Sequence, residues 1–164
     1  MRNIGKCVLR LASTLSMPMP QVFQRAGEEF TRFMVMARDY SGLQTTHMAW
    51  NMVVGVLHAY RKRLTIAQVI SFSRALPPHV AAIFLTEWVP DIPKAVGTTE
   101  DWLEDVRAVR TAHNFSPPGA VAAVSEALWE LLGEDGMAEA LADQPKWASA
   151  FWTKSMVGKQ SSPT

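Results

Sequence analysis

The residues with the chemistry to do something are few. Four histidines are present, His47, His58, His79 and His113, with a single cysteine, Cys7. His47 and His58 share a helical face, because eleven residues make almost a whole number of turns. At the helical rise they stand roughly 16 Å apart, too far to share a metal ion. No HExxH or HxxxH pair occurs. His58, His79 and Glu87 could form a mixed site only if folding gathered them, and no metal ligand set is assigned. His58 lies at the edge of an apolar stripe, with Arg61 one turn on. Such a pair could bind an anion or take part in acid–base work. The simpler expectation is structural. The histidine would bond a carbonyl or carboxylate, and the arginine would pair with an acid such as Asp39 or Glu87.

Arg61, Lys62 and Arg63, with Arg74, form the basic concentration of the chain beyond its first residues. They could contact phosphate, but no aromatic stacking platform or recognition helix accompanies them. Sixteen basic against fifteen acidic residues give no global field toward nucleic acid or an anionic membrane. Glu87, Asp91, Glu100, Asp101, Glu104 and Asp105 make an acidic patch, read mainly as helix first-turn acids favoured by the dipole. No GxSxG elbow, Walker pattern or Gly-rich phosphate loop is present. No catalytic residue and no cofactor is therefore assigned. The candidate ligand-binding residues are His58, Arg61, Arg63, Arg74 and Glu87.

These side chains must be positioned by helices. Pro18 and Pro20 precede Phe23, Ala26, Phe30, Phe33 and Ala37, one face of a helix of about 20 residues that Gly42 closes. Thr45 or Thr46 starts the next, with Val53, Val56, Leu57, Tyr60 and Leu64 as its stripe. Thr65 and Gln68 make a capping box. Pro77 and Pro78 end that helix and prime a short apolar one from His79 to Trp88. Thr98 or Thr99 caps a helix carrying Trp102 and Val106. Ser116, before Pro117 and Pro118, is the expected N-cap of the next, which Gly133 and Gly136 break. Met137 to Ala142 and Lys146 to Met156 are further helical stretches. No strand pattern holds. The expected fold is all-α, a bundle of about 7–9 helices.

Positions about 68 apart match: Val56 with Val124, Ala59 with Ala127, Tyr60 with Leu128, Pro77 with Pro145, Phe84 with Trp152. This predicts two similar halves, about 28–92 and 98–156, packed about a pseudo-twofold axis. Residues 1–27 are a basic N-terminal extension with the look of a transit peptide or a loosely docked amphipathic helix. Residues 28–157 form a single helical domain, and the Gly-, Ser- and Lys-containing tail 158–164 is expected to be disordered.

The run "VLHAYRKRLTIAQVISFSRALPPHVAAIF" followed by "EW" holds a His-Ala-x-Arg-x-Arg-Leu segment, a helix ending in Leu-Pro and a later tryptophan. With "EEFTRFMVMARDYSGL" and "WLEDVRAV", it resembles the bacterial domain-of-unknown-function family DUF2267 across Glu28 to Trp152. The second half is looser, with Gln144-Pro145 where Leu-Pro is expected. The resemblance implies a helical repeat fold and brings no assigned activity. The functional expectation is a noncatalytic domain for a protein partner or for homo-oligomers. The alternative is a small-ligand binder or enzyme using the crevice between the halves near His58 and Arg61. No run of about 18 apolar residues is available for a membrane span. One cysteine fits a reducing, cytoplasmic setting.

Overall fold

The computed structural model describes residues 21–154, with the backbone alone for residues 22–24. The expected extension before Gln21, the tail 158–164 and the apolar face position Phe23 therefore fall outside the described residues or side chains. Seven helices and no strand are found among the described residues. They are α1 (Gln21–Ser41), α2 (Thr46–Arg61), α3 (Ile66–Ala75), α4 (Pro78–Leu85), α5 (Thr99–Ala108), α6 (Ala120–Leu141) and α7 (Ala148–Phe151).

Local chemistry sets most boundaries. Gly42 closes α1 at φ 71°, in the left-handed region that glycine enters without a Cβ penalty. The Thr45 hydroxyl accepts from the Met48 amide and caps α2. Thr65 and Gln68 exchange both bonds of a capping box at α3, and Thr98 with Asp101 does the same at α5. Pro78 occupies the first turn of α4, where its missing N–H costs nothing.

Ser116 does not cap α6. That helix starts after Gly119, with no side-chain cap. The Ser116 amide instead bonds Asn114 Oδ1 at 3.1 Å, and its carbonyl accepts from Arg107 Nε at 3.0 Å. Asparagine's own turn chemistry takes the serine before the prolines can use it. Gly133, at φ 72° and ψ 178°, breaks the path of α6, while Gly136 stays helical. The stretch expected over 137–142 is thus the distal arm of α6. Of the helix expected over 146–156, the described part contains only the short α7.

The centre of the molecule is α2. From Met52 to Arg61 every residue but Val54 is buried, so this stretch of the helix is covered on nearly all sides. It packs against α1, α4, α5 and α6, and α1 lies along α6. Gly55 permits the closest approach: a Cβ built there would meet the Val106 carbonyl oxygen at 2.5 Å. At the other side of α2, the Tyr60 ring touches Phe72, Trp147, Phe151 and Trp152, with centroids 4.9–5.4 Å away. These aromatic contacts join the first helices to the last.

Candidate functional site

The C-terminal end of α2 carries the sequence's basic cluster, and the structure divides it. His58 and Arg61 turn toward α4. A helix of eight residues leaves its last carbonyls without intrahelical donors. His58 Nε2 lies 3.0 Å from the Ile83 carbonyl oxygen, and because a carbonyl can only accept, Nε2 carries the hydrogen. Arg61 Nη1 donates to the Phe84 carbonyl and, at 3.0 Å, to that of Thr86. Together they cap α4 from outside its own sequence. Burial pulls the His58 pKa below its ordinary value, with the Arg61 charge acting in the same direction, so the imidazole is neutral near pH 7. Burial likewise lowers the Arg61 value. Arg61 thus serves carbonyls, where an acid was the expected partner.

Arg63 turns the other way. Its side chain has no exposed area and meets Asp105 of α5, Nη2 to Oδ2, at 2.7 Å. Its other donors go to the Ala59 and Val96 carbonyls. Lys94 Nζ reaches both oxygens of Asp105, at 2.9 and 3.0 Å, and Lys62 stands 3.7 Å from one. Burial would raise the Asp105 pKa, but the bonds from Lys94 and Arg63 outweigh it and hold the carboxyl below its usual range. The sequence marks Asp105 only as one acid in a patch; here it is the anchor of three cations. Arg74 is exposed on α3 and lines no cleft described below.

Two clefts flank this region. One, about 460 Å³, lies beneath the segment 86–98 and is bordered by Arg61, Trp88, Ile92 and Asp105. The other, about 470 Å³, has one face of α2 as its floor, through Asn51, Val54, His58 and Lys62. The end of α4 supplies Ile83 and Glu87, the end of α5 supplies Val109 and Arg110, and Trp50 completes it. Lys62 and Glu87 border both clefts. Among the candidates, then, His58, Arg61 and Glu87 come together, Arg63 is held one layer away, and Arg74 stands apart. Trp50 and Arg110 are lining residues outside the sequence candidates, and Lys62 joins them from the basic run in which the sequence places it.

The segment 86–98 is pinned at its far end. The Lys94 amide donates to the Lys62 carbonyl at 2.7 Å, and Arg63 and Trp102 both donate to the Val96 carbonyl. Its near end carries Val89 and Ile92, 78% and 87% exposed. His79, by contrast, stacks on Phe30 at 5.6 Å, away from His58. Among the described residues no group of three or more His, Cys, Asp or Glu side chains gathers in a way that could hold a metal ion. No described helix is long and apolar enough to cross a membrane.

No curated protein matches the chain. The model of one family, described as "Uncharacterized conserved protein (DUF2267)", matches residues 30–149, which run from the third turn of α1 into α7 and include both clefts. The chain belongs to the DUF2267 family.

Proposed function

We propose that this chain is a noncatalytic helical domain that binds a protein partner or a second copy of itself, with the segment 86–98 as its contact edge. One observation carries this reading. Three of the five candidate side chains, His58, Arg61 and Arg63, are engaged with backbone carbonyls, while Val89 and Ile92 stand in water on a pinned segment. Burying each of those two against a partner contributes roughly 1.5–3 kcal/mol. A pinned segment loses little further entropy when it docks.

The two-half repeat belongs to the same proposal. Packing of α1 on α6 and of α2 on α5 is the exchange that a twofold axis relating 28–92 to 98–156 would generate. Buried matched positions, Val56 with Val124 and Tyr60 with Leu128, agree with it. A reducing, cytoplasmic location rests on the single cysteine.

Photocrosslinking tests the contact edge. A benzoyl-phenylalanine placed at Ile92 in host cells should give a discrete adduct that the same group at Arg74 does not give. Twice the chain's own mass would identify self-association, and another mass a partner. Identical patterns at the two positions, or no adduct at Ile92, would overturn the proposal.

A second reading, a small-ligand crevice beside His58 and Arg61, is favoured by the cleft floored by α2. Its volume of about 470 Å³ is in the range that small molecules occupy.

A further inference from the structure

Two non-glycine residues among those described adopt a positive φ, Glu87 and Arg110, each at 54°. Both line the cleft floored by α2. Glu87 reaches it from the end of α4 and Arg110 from the end of α5. Each stands just past its helix's last residues, the position where a left-handed residue commonly ends a helix, and this turn aims both side chains back toward the cleft while a Cβ there costs some strain. Neither side chain is within hydrogen-bond or ion-pair distance of another described residue, although the Glu87 charge also acts on His58 and Arg61 behind it. Glu87 and Arg110 are of opposite charge, and they share one concavity.

The remaining lining fits between those charges. Trp50, Val54, Ile83 and Val109 give apolar surface. Lys62 adds a second cation, and its ammonium is only loosely engaged, 3.7 Å from Asp105. The Asn51 amide is already committed to the His113 carbonyl at 3.2 Å and serves to hold the wall.

We infer that this cleft binds a small zwitterion of the α-amino-acid type, with Arg110 and Lys62 receiving its carboxylate, Glu87 its ammonium, and the Trp50–Val54 surface its apolar side chain. The inference rests on the crevice reading above and adds the ligand class. Arginine suits the carboxylate because its planar fork can donate two parallel bonds. The Glu87 carboxylate can accept from all of the ammonium's directions in turn. A ligand carrying one charge alone leaves the opposite wall unpaired, so the opposed charges of the lining favour a ligand that carries both.

The test is a titration of isotopically labelled full-length chain, followed through amide resonances, with L-phenylalanine and L-leucine at millimolar concentration. N-acetyl-L-phenylalanine lacks the ammonium, and L-phenylalaninamide lacks the carboxylate. The free amino acids should shift the resonances of Lys62, Glu87 and Arg110 saturably, and each blocked form should bind at least about tenfold more weakly. Glu87→Gly and Arg110→Gly each remove one charge and relieve the backbone at the same position. Both should keep the wild-type melting temperature or exceed it, and both should lose the amino-acid response. Shifts at the cleft by the blocked forms as strong as those by the free amino acids would overturn the zwitterion class and leave the crevice reading standing. No shift with any of the four compounds would overturn both. Binding that survives both glycine variants would overturn the assignment of the two charges.

Discussion

Asp105 Oδ2 lies 2.7 Å from Nη2 of Arg63, whose side chain is wholly enclosed. This contact ties the end of α2 to the middle of α5, and Lys94 ties the segment 86–98 to the same carboxylate. Asp105→Asn keeps the volume and removes the charge. It leaves a guanidinium buried beside a neutral amide, and breaking a buried pair in that way costs about 3 kcal/mol or more. Urea unfolding should show a loss of that size. A loss under about 1 kcal/mol would mean that water reaches Arg63 and that the pair behaves as a surface one. Because the folded carboxyl is held low, its contribution is full above the ordinary carboxylate range and fades as pH falls through the folded value. The Asn variant should lack that acid-dependent part.

His58 gives a second pH signature in a different window. Its folded pKa lies below the ordinary 6.5, so the unfolded chain binds a proton more readily than the folded one. Stability from the neutral imidazole is complete above about pH 7 and declines as pH falls through 6.5 toward the folded value. The surrounding charges are Arg61 and Lys62, which oppose protonation, and Glu87, which favours it. His58→Gln can still donate to the Ile83 carbonyl but cannot titrate. The wild type should lose stability between about pH 7 and pH 5, and the variant should lose less. Parallel unfolding midpoints for the two proteins across that range would contradict a depressed His58.

The parts of this fold that the sequence made legible are those whose chemistry is local. The Thr65–Gln68 box, the Thr98 cap, Gly42 and the Pro77–Pro78 boundary each depend on neighbours within a few residues. The edge position of His58 beside Arg61 could also be read from one helical turn. What the two residues do could not, because their acceptors are carbonyls of another helix, exposed only by where α4 stops. The anchoring role of Asp105 could not be read for the same reason. Nothing near it in the chain distinguishes it from Glu104, which stays exposed, and its partners arrive from α2 and from the segment 86–98. The left-handed backbone at Glu87 and Arg110 has no sequence mark at all, since neither is a glycine or asparagine.

Gly55 sits in the interior of the most buried helix, where alanine would ordinarily gain about 1 kcal/mol in helix propensity. The Val106 carbonyl 2.5 Å from the missing Cβ reverses that sign. The obstacle is backbone, so it cannot rotate away, and α5 must shift. Forced overpacking of this kind costs about 1–3 kcal/mol. Gly55→Ala should therefore lower the melting temperature, and Asp105 should lose part of its contact with Arg63, because both contacts fix α5 against α2. An unchanged or raised melting temperature would show that α2 and α5 are less closely packed than this.

Tyr60 offers the sharpest separation of packing from polar satisfaction. Its hydroxyl donates to Gln144 Oε1 at 2.8 Å, and Gln144 Nε2 passes on to the Gln68 carbonyl at 3.1 Å. The chain of bonds joins α2, the link after α6 and α3. Burial pushes the phenol's pKa up, so it stays a donor throughout the ordinary pH range. Tyr60→Phe keeps the aromatic cluster and leaves the Gln144 oxygen without its donor, which should cost about 1–3 kcal/mol. Tyr60→Leu removes the ring from among Phe72, Trp147, Phe151 and Trp152 and should cost more, through the cavity it opens. Gln144→Leu in the Tyr60→Phe background removes both polar partners at once. That double variant should recover part of the loss, since no side-chain oxygen is left without its donor, although the Gln68 carbonyl gives up its bond from Gln144. If Tyr60→Phe proves neutral and the double variant is worse than either change alone, the hydroxyl is not what holds Gln144, and the joint between the first and last helices rests on the aromatic rings alone.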